Sequence, residues 1–278
     1  MSVNESVGEG ECNSKNYPSI PHQDLLDGRT IRFGVMEQTR MSLDDWRRRW
    51  DNDPNKSHAG RWQLEVVHPF LIKHAYRFRS VDAKHILVPL SGKSIDLVWL
   101  VQQGYKVTAI EGSNRAIYDF LESYVLSYMS ERISPTCVRY STFDNQLIIF
   151  QMNVFSDELR PELIGGLVDA VWDRAAVTAL HPDDHSRYLA KLEALSKRQA
   201  LMLFSVYWHE KGPTWGPPFP IDQHVFDSLS EKVEMIDDKD AMHDGWTQAG
   251  YETMRERCFQ VELSSFNGKT GDSQFEEK

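Results

Sequence analysis

Gly92 and Glu111 stand 19 residues apart, one in the turn after an apolar run and the other at the end of the next. A glycine in such a turn lets a ligand approach bare backbone, and an acidic residue about 20 positions on grips ribose hydroxyls. The residue types and their spacing therefore point to a ribose. The same stretch, "HILVPLSGKSIDLVWLVQQGYKVTAIEGS" at residues 85–113, also contains Gly-Lys-Ser, the tail of a triphosphate-binding loop. That loop needs a glycine five positions earlier, where Leu87 stands, so the triphosphate reading fails on spacing. A dinucleotide site, with its G-x-G-x-x-G turn, is disfavoured for the same kind of reason, because only one glycine is present. The plain alternative is an ordinary strand–loop–helix with a surface glutamate.

The elements around this pair must hold it at one edge of a sheet. Residues 85–90 form a short apolar run that fits a buried parallel strand. Residues 94–104 read as a helix ended by Gly104, and residues 105–110 as the next strand. Asn114 is expected to cap a helix running to about Tyr128. Val138, Tyr140 and Thr142 alternate, Asp144-Asn145 can turn, and residues 147–150 return, which predicts a β-hairpin. Further strands are expected at residues 167–173, 200–208, 232–238 and 256–263, with helices at 182–195 and 221–229. Upstream, Ser42 and Asp45 have the spacing of a capping box, and Trp46 and Trp50 then share one helix face. Residues 62–76 carry Leu64, Val67, Leu71 and Ala75 at helical spacing. Strands alternating with helices predict an α/β fold with a mostly parallel sheet.

The bulk composition narrows the function classes. The chain has 278 residues, 41% of them hydrophobic, enough for one sizeable core. A net charge of −10 argues against a nucleic-acid partner, the short "WRRRW" at residues 46–50 notwithstanding. Cys12, Cys137 and Cys258 show neither metal-ligand spacing nor a disulfide framework, so no metal is expected. No apolar stretch reaches the roughly 18 residues of a membrane span. Residues 1–40 are polar and are read as a mostly disordered extension without a targeting pattern. Residues 41–265 are read as one domain and residues 266–278 as a frayed tail. A cytoplasmic, monomeric protein acting on a small molecule, with no membrane partner, is the expectation.

Spacing alone leaves the nucleoside open; one without phosphates, such as S-adenosylmethionine, tolerates a turn with a single glycine. Here the residues carry a resemblance. "PLSGKSIDLVWL" followed by "GYKVTAIEGS" resembles the thiopurine S-methyltransferase family, with its Pro-Leu-x-Gly-Lys turn and a strand finishing in Val/Ile-Glu. "LDDWRRRW", "VWDRAAVTALHPDDHSRYLAKL" and "GPPFPI" resemble further family segments and follow in family order, so the likeness spans about residues 43–263. The resemblance implies a Rossmann-like class I methyltransferase: a mostly parallel seven-stranded sheet with helices on both faces, plus an inserted β-hairpin. It implies S-adenosylmethionine as cofactor and methyl transfer to a soft nucleophile, a thiol or selenium compound. An O- or N-methyltransferase on the same scaffold, or a non-catalytic S-adenosylmethionine-binding protein, stays as the alternative.

The resemblance also distributes roles. Trp46 and Trp50 would cover the cofactor, whose sulfonium an indole face attracts by roughly 0.5–2 kcal/mol. Leu90 and Gly92 would present backbone to its amino-acid end, Glu111 would hold the ribose, and Asn153 and Val154 would meet adenine. Arg174 would face both cofactor and acceptor, and a guanidinium there favours a thiolate. Its neighbour Asp173 shares the candidate catalytic position, although a structural role suits it better. Ser57, His58, Pro218 and Phe219 would line the acceptor, with Ser57 standing where animal members carry a bulky aromatic.

Overall fold

A computed structural model of the chain describes residues 40–51, 63–125, 127–213 and 216–263. Its elements run α1 (Leu43–Asp51), α2 (Pro69–His74), α3 (Tyr76–Ser80), β1 (His85–Pro89), α4 (Asp96–Gln102), β2 (Lys106–Glu111) and α5 (Asn114–Tyr124). There follow β3 (Met129–Ser134), β4 (Cys137–Ser141), β5 (Leu147–Gln151), α6 (Pro161–Ile164), β6 (Val168–Arg174), α7 (Ala176–Ala179) and α8 (Pro182–Leu195). The chain continues with β7 (Ser196–Trp208), β8 (Val233–Asp240), α9 (Asp244–Gln248) and β9 (Arg255–Glu262). All nine strands join one sheet in the order β3-β4-β5-β2-β1-β6-β7-β9-β8. The central five are parallel; β9 runs antiparallel to β7 and β8, and β3 and β4 continue antiparallel beyond β5.

Both faces of the sheet's centre are covered, which is why β1 is buried along its whole length and apolar after His85. Ile86 and Val88 face one way, toward Phe70, Phe78, Leu97, Leu100 and Phe120 of the helices α2 to α5. Leu87 faces the other, toward the layer that contains Tyr188, Leu192 and Phe226. Each such side chain contributes about 1.5–3 kcal/mol by leaving water. The chain steps outward from β1 to β2 and β5, then returns to the other side of β1 with β6. The turns after β1, β2 and β6 consequently meet at the carboxyl edge where the strand order reverses, the place where such sheets hold ligands.

Five local expectations are corrected. The strand read as half of an inserted hairpin, β5, is the parallel neighbour of β2, so the seven-stranded sheet with an insertion is one sheet of nine. The hairpin turn itself stands as read, with Asn145 at φ 56 and Asp144 accepting from the Gln146 N–H at 3.0 Å. The helix expected to run to about Tyr128 ends at Tyr124, and strand β3 follows on residues for which no element was expected. It is exposed, carries no apolar alternation, and places Glu131 and Arg132 on an open edge, where charge opposes strand-to-strand aggregation. Helix α5 is capped by Ser113 Oγ, which accepts from the Ala116 N–H at 3.2 Å; Asn114 is its first helical residue. The helix expected over residues 62–76 begins only at Pro69, because the residue before a proline is pushed out of helical geometry and His68 sits at ψ 127. The helix expected at residues 221–229 is a single 3-10 turn, Gln223–Phe226.

No helix among the described residues is long and apolar enough to cross a membrane.

Candidate functional site

The turn after β1 is wound left-handed at two positions, Leu90 (φ 44) and Gly92 (φ 55). For Leu90 this costs of order 1–3 kcal/mol, a strain that recurs at ligand sites. At Gly92 it is free, and a Cβ there would collide with the Gln63 amide and lie 3.2 Å from Trp50 Cζ2. Glu111 closes the turn from below. Its Oε2 accepts from the Gly92 N–H at 2.8 Å and its Oε1 from the Ser113 N–H at 2.7 Å. Burial raises the Glu111 carboxyl above its ordinary range, while the Ser113, Gly92 and Gly112 N–H groups and the Arg47 charge oppose that rise. A carboxylate has roughly four acceptor directions, so acceptor capacity remains for a ribose hydroxyl. Between Leu90 and Gly92 the buried Ser91 Oγ has no hydrogen-bond partner among the described residues. A strained turn, an orphaned hydroxyl and a carboxylate with spare lone pairs fit a nucleoside bearing an amino-acid arm, such as S-adenosylmethionine.

Helix α1 lies across this edge. Ser42 and Asp45 form the expected capping box: the Ser42 N–H donates to Asp45 at 2.8 Å and the Asp45 N–H to Ser42 Oγ at 3.2 Å. Arg47 Nε donates to the Gly112 carbonyl at 2.9 Å, and Arg40 forks onto Asp184 at the start of α8. Trp50 is buried against Ala116 and Gly92. Trp46 is half-buried, with the Arg49 guanidinium 5.5 Å above its ring. The structure thus brings Trp50 to the turn.

On the other side of the turn, Asn153 and Val154 follow β5. Val154 packs into the core, and Asn153 Oδ1 accepts from the Phe155 N–H at 2.9 Å. Asn153 lines a 500 Å³ cleft with Phe155, Glu158 and Arg187, whose guanidinium stacks 4.6 Å from the Phe155 ring.

At the end of β6, Arg174 Nη1 donates to Gln63 Oε1 at 3.0 Å. Ala175 follows at φ 54, and its N–H donates to the Ser205 carbonyl at 2.7 Å. Arg174 pairs in register with Ser205, so Tyr207, two positions on, projects from the same face. Burial pushes the Tyr207 phenol up to about 12, with Glu256 adding to the shift and Arg174 opposing it. Below lies a buried polar network. His68 Nδ1 accepts from the Phe70 N–H, so its Nε2 carries the proton and donates to Glu256 Oε1 at 2.6 Å. Ser205 Oγ and Lys239 Nζ also donate to that carboxylate, at 2.8 and 2.7 Å.

Two expected site residues are turned inward. Asp173 is fully buried: Oδ1 accepts from the Ala176 and Val177 N–H groups at 2.8 and 3.3 Å, and Oδ2 from the Tyr188 hydroxyl at 2.6 Å. It anchors α7 and α8, and burial outweighs these bonds to push its carboxyl up to about 7. These bonds suit the structural role expected of it. Asp173→Ala strands three donors and is expected to cost about 2–5 kcal/mol. That is a fall of roughly 5–15 °C in the thermal midpoint, read by calorimetry; an unchanged midpoint would refute the assignment. Phe219 is also buried, its N–H donating to the Thr178 carbonyl at 2.8 Å and its ring 5.5 Å from that of His181. It fastens the proline loop to α7, while Pro218 is half-buried. Ser57 and His58 lie outside the described residues. Gln63 and Tyr207 were not foreseen: Gln63 sits in a stretch read as helix, and nothing in its neighbourhood marks it. Among the described residues no group of three or more His, Cys, Asp or Glu side chains is placed to hold a metal ion.

A sequence profile of the thiopurine S-methyltransferase family matches residues 41–264. A thiopurine S-methyltransferase of Pseudomonas aeruginosa is 30% identical over 209 residues, covering 74% of this chain and 91% of the relative. The Bos taurus thiopurine S-methyltransferase is 26% identical over 248 residues, covering 84% and 96%. In fold, the chain is similar to Haemonchus contortus phosphoethanolamine N-methyltransferase 2, solved with phosphomonomethylethanolamine and S-adenosylhomocysteine. The TM-score is 0.54 at 10% identity, over 79% of this chain and 60% of that one. It is likewise similar to TehB from Haemophilus influenzae, with a TM-score of 0.51 at 8% identity over 72% and 63%. The chain belongs to the thiopurine S-methyltransferase family and is an S-adenosylmethionine-dependent methyltransferase.

Proposed function

We propose that the enzyme methylates a soft nucleophile, a small thiol or selenol, and that Arg174 holds the anionic form of that acceptor. The observation that carries this reading is the Arg174–Gln63 hydrogen bond, 3.0 Å, which sets a guanidinium beside the glycine turn. Bound S-adenosylmethionine supplies an electrophilic methyl group on a sulfonium sulfur. Glu111 takes the ribose hydroxyls, Leu90, Ser91 and Gly92 the amino-acid arm, and Asn153 with Val154 the adenine. Trp50 and Trp46 shield the cofactor from solvent.

A thiol with a pKa near about 8.5 is already a few per cent ionised at pH 7, and a neighbouring guanidinium raises that fraction. The acceptor sulfur then forms its bond to the methyl carbon as the sulfonium C–S bond breaks, and the electron pair stays on S-adenosylhomocysteine. Opposite charges cancel along this path, so a desolvated pocket favours it. A hard oxygen or nitrogen acceptor would need a base. Asp173 is committed to three hydrogen bonds, and the Tyr207 phenol, near 12, stays protonated at neutral pH. Pro218 lies on the acceptor side, with Phe219 fixing its loop. The net charge of −10 supports a small-molecule acceptor over nucleic acid, and we place the enzyme in the cytoplasm as a monomer.

Methyl release from labelled S-adenosylmethionine, measured against benzenethiol, 2-mercaptoethanol, a selenol, phenol and aniline, tests the assignment. Turnover of the sulfur and selenium acceptors well above phenol and aniline is expected. Preference for phenol or aniline would overturn it.

A further inference from the structure

We infer that Tyr207 is an acceptor-binding residue: its hydroxyl donates a hydrogen bond to a polar atom of the methyl acceptor other than the atom that is methylated. The inference rests on the reading above that a soft acceptor lies beside Arg174, and it names a second group that holds the acceptor there.

Strand β7 outlasts its neighbour β6. Arg174, the last residue of β6, pairs with Ser205, whereas β7 continues to Trp208. The two strands are parallel, so Tyr207 stands beyond the carboxyl end of β6, about 6–7 Å past Ser205 and on the same face. Ligands of such sheets lie in the crevice just outside the carboxyl ends of the strands. The Arg174 charge is felt at the phenol, where it opposes the rise in pKa. The Tyr207 N–H donates to Thr178 Oγ1 at 3.1 Å, and α7, which carries Thr178, begins two residues after Arg174. The backbones of Tyr207 and Arg174 are thus tied to one short segment.

The phenol is fixed in place but its polar end is unspent. Among the described residues the Tyr207 hydroxyl makes no hydrogen bond, although the residue is half-buried. The carboxylate of its cross-strand partner, Glu256, already takes His68 Nε2 at 2.6 Å, Ser205 Oγ at 2.8 Å and Lys239 Nζ at 2.7 Å. The Tyr207 ring meets Trp246 of α9 edge-on, at 5.8 Å and 64°, and Trp246 in turn meets the buried Tyr251 at 5.2 Å and 76°. Such contacts restrict the ring, and a donor held by its neighbours loses little freedom when a ligand arrives. With its phenol near 12, Tyr207 keeps its proton throughout the range in which thiols ionise.

The chemistry of the step decides which atom the hydroxyl serves. Methyl transfer removes the negative charge of a thiolate. A neutral donor on the sulfur would stabilise charge that the reaction consumes, and would slow it. A donor on a non-reacting oxygen or nitrogen holds ground state and transition state alike and aims the sulfur at the methyl group, which raises kcat/KM.

The test uses the full chain with S-adenosylmethionine and a matched pair of acceptors, benzenethiol and 4-acetylbenzenethiol, which adds a carbonyl oxygen across the ring from the sulfur. Rates are taken at about pH 9, where both thiols are ionised and the phenol is not. Wild type is expected to show the higher kcat/KM with the ketone. Tyr207→Phe, which removes the hydroxyl alone, is expected to lose about 3–12-fold in kcat/KM for the ketone and less than twofold for benzenethiol, with an unchanged thermal midpoint. Equal losses for the two thiols would make the effect one of packing and overturn the inference. So would a Tyr207→Phe variant as fast as wild type with both, or a wild type that does not favour the ketone. In each of these cases turnover of benzenethiol by wild type leaves the soft-acceptor reading standing. If wild type turns over neither thiol, that reading fails and this inference fails with it.

Discussion

Arg174→Ala is expected to slow methyl transfer to a thiol by about 10–100-fold near pH 6–7, less than the roughly 100–1,000-fold that removing one oxyanion-hole donor costs. The sign of the pH dependence follows from the charge. A guanidinium beside the acceptor favours its anionic form, so the bound acceptor in the wild type ionises at a lower pH than it does free in solution. Without the arginine, the rate should rise only as the pH approaches the acceptor's own pKa, about 8.5 for an alkyl thiol. The deficit is therefore largest in acid and shrinks in base. A pH–rate profile in single-turnover mode reads this directly. Equal loss at every pH would mean that the side chain orients the acceptor but does not ionise it. No loss would return Arg174 to a purely structural place at the end of β6.

Glu111→Ala is expected to weaken binding of S-adenosylhomocysteine by about 1–3 kcal/mol, or roughly 5- to 150-fold. Two effects combine. The ribose hydroxyls lose their acceptor, and the turn loses the clamp that ties the Gly92 and Ser113 N–H groups to one carboxylate. Titration calorimetry gives the affinity, and a thermal melt of the same sample separates a loosened turn from a lost ligand contact. Unchanged affinity would remove Glu111 from the site.

What the sequence discloses of this molecule depends on the distance over which each feature is determined. Strands β1 and β2 are legible because strands covered on both faces are mostly apolar. Gly92 and Glu111 are legible because one turn and one strand end fix their relation. The Asp144-Asn145 turn is local and stands as read. The cap of α5 was misplaced by one residue because Ser113 and Asn114 are both good caps, and only the fold decides which of them precedes the helix. Strand β3 was missed because an exposed edge strand needs no apolar alternation, and "MSERIS" shows none. The helix expected over residues 62–76 had the right periodicity, but Pro69 sets where it starts, and Gln63 is left outside it to reach Arg174. Residues such as Gln63, Tyr207 and the inward-turned Phe219 acquire their positions from contacts between distant segments, which residue spacing does not encode. Family resemblance placed Asp173 near the chemistry; the three hydrogen bonds it accepts show that it holds the turn on which Arg174 stands.

The central claim is that one carboxyl edge of the sheet places the cofactor between Glu111 and Arg174. A crystal structure of the full chain with S-adenosylhomocysteine tests it most directly. The account predicts the ribose hydroxyls on Glu111, the adenine beside Asn153 and Val154, the amino-acid arm over Gly92, and the sulfur facing Arg174. An adenosine bound without contact to Glu111, or a sulfur turned away from Arg174, would contradict it.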